Sequence, residues 1–297
     1  MSDLKTIAVT GGSGFIGRYL CAALRDAGYD VLCLGRGAPE MQSDRQTDYS
    51  KASLTQALSG ADAVIHLAGR RMTREDAPMD LAPFWQPNVA VIGDLVSAAR
   101  SAGVQRIVLA STIATYSIPS GLPYREEAPA RPINAYALSK LMAEQHLEML
   151  TRAQGLSACA LRLAAVYGHG EKGTPAMMKF IDQASRGETL VLAGNPNYVI
   201  DQLYVRDAVS AFLAALHGDA RGPYNVGGGV AHRVADIASV VNEVFDNTGN
   251  LRLETDSDAA MPQTVMALDH VRADLGWVPS YDLRAGLIDM RQTREAL

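Results

Sequence analysis

Lysine is nearly missing from this chain: Lys5, Lys51, Lys140, Lys172 and Lys179 are the only ones among 27 basic residues. Acidic residues number 32, so the formal net charge is -5 and there is no basic surplus. That composition lacks the electrostatic footprint of a nucleic-acid binder or of a protein held on an anionic membrane. Cysteine is scarce and odd in number: Cys21, Cys33 and Cys159, with neither a Cys-x-x-Cys nor a Cys/His ligand spacing. A metal site or a redox pair is therefore a poor reading, and each cysteine sits in an apolar segment that suits a buried thiol in a reducing compartment. No apolar run is long enough to span a bilayer, and Met1 to Lys5 leads into a short strand without the apolar core of a signal peptide, so a cytoplasmic location is expected. Repeats, low-complexity tracts and a Pro/Ser-rich linker are missing too, which points to lobes sharing an interface with a cleft between them.

What is present suits an ordinary globular protein: 297 residues, 48% hydrophobic and 20% charged. Short β-branched runs alternate with helical patterns through the first half. Thr6–Val9, Asp30–Leu34, Ala63–Leu67 and Arg106–Ala110 read as strands, with helices to about Ala27 and from Asn88 to Ala102. Strands covered on both faces read as continuous apolar runs, and this β-α-β rhythm predicts an α/β fold with a doubly wound parallel sheet. Past Gly168 the rhythm changes to a helix from about Pro175 to Arg186, a strand at Thr189–Leu192, a glycine run Gly227–Gly229 and a helix from Val234 to Phe245. The expected division is a dinucleotide-binding domain over 1–166, with returning segments at about 200–226. A smaller substrate-binding lobe then takes 167–199 and 227–297.

The first strand ends in Thr10-Gly11-Gly12-Ser13-Gly14-Phe15-Ile16-Gly17 and a helix follows. In that context Gly11 gives the tight turn, Gly14 brings backbone amides, with those of Phe15 and Ile16, to a pyrophosphate, and Gly17 packs the helix closely. The end of the second strand, Leu34-Gly35-Arg36-Gly37, carries no acid to accept a ribose 2′-hydroxyl. Arg36 offers a guanidinium for a 2′-phosphate, which favours NADP; stacked on adenine, it serves NAD as well.

Tyr136 and Lys140 lie four apart in a helical segment, Asn134 to Leu150, and so share a face. An ammonium beside a phenol lowers the phenol pKa from about 10, making Tyr136 a base in one direction and an acid in the other. Ser111 and Thr112 end the preceding strand, where ligands of doubly wound sheets bind, and Thr112 is placed to hydrogen-bond a reacting oxygen. Strand-end capping is the competing role for both.

These pieces in this order, with His66-Leu67-Ala68-Gly69, Leu161-Arg162, Val166-Tyr167-Gly168, Tyr224 to Gly229 and Leu275 to Pro279, resemble the extended short-chain dehydrogenase/reductase family, especially its sugar-nucleotide epimerase branch. The resemblance covers nearly the whole chain. It implies a catalytic group of Thr112, Tyr136 and Lys140, with Lys140 also on the nicotinamide ribose, Asp48 and Tyr49 by the adenine, Leu67, Ala68 and Gly69 along the cofactor, and Leu163 and Ala164 against the nicotinamide. His66 reads as a core histidine. The branch often forms homodimers through a four-helix contact that includes the helix of Tyr136.

Departures narrow the chemistry. Relatives that dehydrate carry an Asp-Glu pair after the threonine; Ile113-Ala114 stand there, so a 4,6-dehydratase is not expected. The arginines that hold a substrate diphosphate in relatives are replaced by Ile200 and by the stretch Ala259-Ala260-Met261-Pro262, and an asparagine before the Val-Tyr-Gly segment by Ala165. A diphosphate leaving water needs charge-assisted donors, so binding weakens or moves to Arg70, Arg71, Arg74, Lys172 or Lys179, which otherwise read as solvated. The reading is an NAD(P)-dependent sugar-nucleotide C4 epimerase or 4-ketoreductase acting by hydride transfer. The alternative is an oxidoreductase of a non-nucleotide carbonyl or sugar-acid substrate, and a non-catalytic dinucleotide-binding regulator stands third.

Overall fold

The computed structural model describes residues 4–37, 45–116, 122–172, 176–254 and 263–295. Pro175 and the stretch 259–262 lie outside the described residues. In chain order come β1 (Thr6–Thr10), α1 (Phe15–Asp26), β2 (Asp30–Gly35), β3 (Arg45–Gln46), α2 (Lys51–Ala57), β4 (Ala63–His66), α3 (Ala82–Phe84), α4 (Val91–Ala102), β5 (Arg106–Thr112), α5 (Ala135–Gln154) and β6 (Ser157–Leu163). These strands and the later β10 (Gly222–Val226) form one parallel sheet in the order β10-β6-β5-β4-β1-β2-β3. Strand order reverses between β1 and β4, so a crevice opens at their carboxyl ends.

Alternation along the strands fills two cores, one on each face of the sheet. Ile7 and Val9 pack with Leu20, Leu24, Ile65 and Leu161, while Ala8 between them faces Leu54, Val64, Leu95 and Ile107. Both faces are thus buried, which is why β4 is covered from end to end.

The second half continues with β7 (Ala165–Tyr167), α6 (Ala176–Ser185), β8 (Leu190–Leu192), β9 (Val199–Tyr204), α7 (Val205–Ala215), β10, β11 (Ala231–Arg233), α8 (Val234–Val244), β12 (Leu251–Leu253), α9 (Asp269–Leu275) and α10 (Leu283–Glu295). β9 joins a three-stranded sheet between β7 and β11, and β8 pairs with β12. The chain returns to the main sheet through α7, whose Ala208 and Phe212 pack in the first core, and through β10. A third core gathers Phe180, Ile181, Ile237, Val241, Leu287 and Met290 from α6, α8 and α10.

Two helices differ from the sequence reading. The helix expected from Asn88 opens as a π-helical turn over Trp85–Ala90 before α4 begins. α5 runs 20 residues, beyond the expected end at Leu150; Asn134 caps it through Ala137 N at 2.8 Å, and left-handed Gly155 ends it.

Candidate active site

The glycine turn is shaped by what a side chain would strike. Gly11 has φ +70°, its N–H donates to Leu34 O at 3.0 Å, and a Cβ there would stand 2.9 Å from the Ala68 nitrogen. A Cβ on Gly17 would run into the Gly11 carbonyl and the Gly12 α-carbon, so this glycine seats α1 on the turn itself. Gly14 caps α1 without a side-chain bond, leaving the helix N-terminus at Phe15 and Ile16 unshielded. Unpaired N–H groups there suit a phosphate anion.

Beyond the turn lies a cavity of about 870 Å³ whose lining includes Arg36, Asp48, Tyr49, His66, Ala68 and Gly69. Tyr49 holds a left-handed backbone, φ 66°. Burial raises its phenol pKa, and Arg36 opposes the rise. Asp48 accepts from Ser50 N at 2.8 Å, and bonds from Ser50 hold its carboxyl below the usual range. The glycine cradle, the open helix end and this cavity fit a dinucleotide in size and in donors.

His66 is buried, hydrogen-bonds Thr10 Oγ1 through Nδ1 at 2.7 Å, and is pushed down to about 3 by desolvation and then by the Lys140 charge. Thr10 Oγ1 also accepts from Ala68 N at 3.2 Å, so the neutral ring braces the β4 loop against β1, as a core histidine does. Leu67 N donates to Thr10 O at 3.1 Å, and Gly69 has Asn88 Oδ1 where a Cβ would sit.

Ser111 and Thr112 point to opposite sides of β5. Ser111 donates to buried Glu144, whereas the Thr112 hydroxyl accepts from Ala114 N at 3.2 Å and opposes the rise of the Tyr136 phenol pKa. Lys140, one helical turn beyond Tyr136, is buried, and desolvation brings its ammonium down to about 8 with Glu144 opposing. Its Nζ lies near Gly69 and it acts electrostatically on His66.

The sequence reading made Lys140 the cation that lowers the Tyr136 pKa; in the bare protein two other groups act on the phenol. Burial raises the phenol pKa, and the groups that oppose the rise are Arg71 first and then Thr112.

Three sets of contacts escaped the sequence reading. Arg71, on the loop after β4, makes a bidentate pair with Glu171 on the loop after β7, at 3.0 and 2.8 Å. Asn88, in the π-helical turn, accepts from Arg70 N at 2.8 Å and donates to Arg70 O and Ser139 Oγ at 3.0 and 2.9 Å, fixing the loop after β4 to α5. Behind Thr112, Glu144 is held by Arg162, with a closest contact of 2.7 Å, and Arg162 reaches Tyr116, which donates to Asn225 at 2.9 Å. No local spacing announces these partners; the Arg71–Glu171 pair spans 100 residues.

The remaining expected residues are spread around this centre. Leu163 ends β6 beside Thr112, and Ala164 N donates to Val226 O at 2.9 Å. Ile113 and Ala114 form a short 3₁₀ turn. Ile200 is half-buried against the third core, and Ala165 is exposed at the start of β7. Arg70 pairs with Asp76 and Arg71 with Glu171, so neither is merely solvated, while Arg74, Lys172 and Lys179 are exposed.

Comparisons with known proteins agree with this geometry. The UDP-glucose 4-epimerase of Azospirillum brasilense is 32% identical over 314 aligned residues that cover 95% of this chain and 89% of that enzyme. The crystal structure of UDP-N-acetylglucosamine 4-epimerase from Bacillus cereus superposes with a TM-score of 0.90 at 29% identity, covering 99% of this chain and 97% of that one. MoeE5 in complex with UDP-glucuronic acid and NAD gives 0.84 at 28%, covering 98% and 100%. The nucleotide in that complex is NAD, so the NADP preference drawn from Arg36 finds no support among these relatives. A sequence model of the family matches residues 7–227, spanning the glycine turn, Thr112, Tyr136 and Lys140, and with the fold and the relatives it shows that the chain belongs to the NAD dependent epimerase/dehydratase family.

Proposed function

We propose that the chain is a nucleotide-sugar 4-epimerase, with Thr112, Tyr136 and Lys140 as its catalytic group and NAD as its dinucleotide. The observation that carries this reading is the placement of Thr112, at the carboxyl end of β5, by the Tyr136 phenol, one helical turn from buried Lys140. The 4-epimerase relatives align with this chain over nearly its full length.

A bound nicotinamide supplies the capacity to oxidise a carbinol carbon and reduce it again. Phe15 and Ile16 amides at the open end of α1 hold the pyrophosphate, Asp48 and Tyr49 the adenine end, and Leu67, Ala68 and Gly69 the stretch between. Lys140 holds the nicotinamide ribose from beside Gly69, and Leu163 and Ala164 face the ring. Asp48 puts an ionised carboxylate into the same cavity as Arg36, and Arg70, the other arginine of the lining, is paired with Asp76, so each cation has a carboxylate near it that a 2′-phosphate would have to displace or tolerate. Arg36 then stacks on adenine.

Tyr136 takes the proton of the C4 hydroxyl and returns it after the sugar presents its other face, while Thr112 hydrogen-bonds the same oxygen. With Ile113 and Ala114 beside Thr112 there is no acid pair to eliminate water, so the reading leaves out 4,6-dehydration. Two copies pairing through a four-helix contact that includes α5, in the cytoplasm, belong to the same reading; Leu138 and Met149 are exposed apolar residues of α5.

Ile200 favours a second reading, in which a 4-ketoreductase or an oxidoreductase of a non-nucleotide carbonyl compound uses the same three residues. Incubating the purified protein with UDP-glucose, UDP-N-acetylglucosamine and UDP-glucuronic acid, without added dinucleotide, separates them. Inversion at C4 with NAD released on denaturation supports the epimerase; turnover only with added reduced dinucleotide supports the reductase. If millimolar sugar nucleotide does not bind, the nucleotide-sugar class fails.

A further inference from the structure

Cys21 and Cys33 stand 12 residues apart in the chain, a spacing that announces no redox pair, yet the fold brings their sulfurs together. Cys21 lies one turn beyond Gly17 on the face of α1 that packs on the sheet, and Cys33 lies on β2 beside Val9 of β1. The Cys33 thiol donates to Cys21 Sγ at 2.8 Å. Both side chains are buried, in the core that holds Ile7, Val9, Leu20 and Leu24. The third cysteine, Cys159, stands on β6 with β5, β4 and β1 between it and β2, and accepts there from buried Arg106 at 3.1 Å.

Two further contacts give this pair a chemistry and a consequence. Arg25, an exposed residue of α1 one turn after Cys21, donates through Nη2 to Cys33 Sγ at 3.6 Å. A guanidinium at that range favours the thiolate, the form that reacts with peroxides and disulfides, and it connects the buried sulfur to the surface. Gly12 of the glycine turn lies against both cysteines: a Cβ there would stand 3.1 Å from Cys21 Sγ, 3.1 Å from Cys33 Cβ and 3.2 Å from Cys33 Sγ. No slack separates the sulfurs from the turn, and the preceding Gly11 N–H is bonded to the carbonyl of Leu34, the residue after Cys33.

We infer that Cys21 and Cys33 are a thiol–disulfide couple set under the glycine turn, closed by hydrogen peroxide, and that closing it weakens dinucleotide binding. The second half rests on the dinucleotide lying on that turn. The Cys33 thiolate, its proton lost to solvent, attacks a peroxide oxygen; the O–O bond breaks, and the leaving hydroxide takes up a proton to become water. The Cys21 thiol then attacks the sulfur of the resulting sulfenic acid, the S–S bond forms and a second water leaves. The sulfurs lose two electrons and the peroxide gains them, while a dithiol reductant reverses the step by exchange. Closing the bond draws the sulfurs in from 2.8 Å and turns both side chains to the geometry that a disulfide demands. In a close-packed interior that movement passes to Gly12 and to the Phe15 and Ile16 amides beyond it.

Full-length protein is reduced with dithiothreitol, desalted, exposed to hydrogen peroxide, then denatured and alkylated, and its peptides are mapped by mass spectrometry. A disulfide joining the Cys21 and Cys33 peptides, opened by dithiothreitol, with Cys159 still alkylated, is the result expected. Both thiols alkylated after peroxide, or oxidised singly without the link, overturns the couple. NAD is the probe for the turn: by calorimetry the oxidised protein is expected to bind it about tenfold more weakly than the reduced protein and to regain affinity with dithiothreitol, which does not reverse methionine oxidation. Cys21→Ala is expected to keep its affinity through the same treatment. Equal affinity of the reduced and oxidised parent, or a loss that dithiothreitol does not restore, overturns the effect on binding, and that comparison stands even if Cys21→Ala does not fold. Should the reduced protein bind no NAD, the dinucleotide reading and the effect on binding fall together, while the peptide map still decides the couple.

Discussion

In the proposed reaction Tyr136 is the acid and base, and its surroundings set how much each neighbour contributes. Replacing it with phenylalanine keeps the ring against Phe84 and removes only the acid and base. Turnover is expected to fall by about 10²–10⁴-fold, with dinucleotide content of the purified protein unchanged; full activity in that variant overturns the assignment. Thr112→Val keeps the β-branched shape at the end of β5 and removes the hydroxyl proposed to hydrogen-bond the reacting oxygen, so a smaller loss is expected, on the order of 10-fold. Ser111→Ala makes the contrast, since Ser111 faces Glu144 on the other side of the strand. Kinetics of the two variants side by side test the assignment: Ser111→Ala should cost stability by urea titration more than it costs kcat. That Tyr136 and Lys140 lie one turn apart on a helix was legible because a four-residue spacing on a helix is a geometric statement. The choice between Ser111 and Thr112 was not, because strand alternation gives two faces without saying which of them the ligand occupies.

The elements that hold the dinucleotide loop differ in how openly the sequence declares them. Gly17 has no room for a methyl group between α1 and the Gly11 carbonyl. Gly17→Ala is expected to cost about 1–3 kcal/mol from overpacking and to lose bound dinucleotide, checked by thermal melting and by the nucleotide released on denaturation. The glycine turn could be read from the chain because glycine marks places where a Cβ does not fit. Asn88 could not: a π-helical turn and an α-helical turn share one apolar pattern, and its partners are a backbone loop 18 residues back and Ser139, 51 residues on. Asn88→Leu leaves the Arg70 backbone groups without that partner and is expected to cost about 1–3 kcal/mol, with weaker dinucleotide retention. A variant that melts like the parent and keeps its nucleotide shows that Asn88 does not hold the loop. Arg71 and Glu171 are hidden for the same reason, since a pair made by two loops leaves no periodic trace.

Across the whole molecule the fold was legible because each buried strand spells its own burial, while the third core and the small sheets of the second half appeared only as a change of rhythm. Two buried titrating groups, one on each side of that division, give the stability a pH signature. His66, at about 3 in the folded chain against an ordinary 6.5, binds fewer protons folded than unfolded, so its contribution is lost as pH falls from 6.5 towards 3. Asp201, buried with Gly228 N at 2.7 Å and raised to about 6 by desolvation, has the opposite sign, and its contribution is lost as pH rises from 3.8 through about 6. The two slopes oppose each other between pH 4 and 6. Replacing His66 with asparagine is expected to remove one of them, so that urea stability of the parent relative to the variant falls by up to roughly 1.4 kcal/mol per pH unit on acidification through that window; parallel curves contradict the buried, neutral histidine. The account as a whole turns on oxidation and reduction at one carbon, and a C4 label reads that most directly. UDP-glucose deuterated at C4 is incubated with the protein as purified and its product examined by NMR. Inversion with deuterium retained at C4 and no dinucleotide added is the result expected; inversion with the label lost to solvent, or no inversion of UDP-glucose, UDP-N-acetylglucosamine or UDP-glucuronic acid, contradicts it.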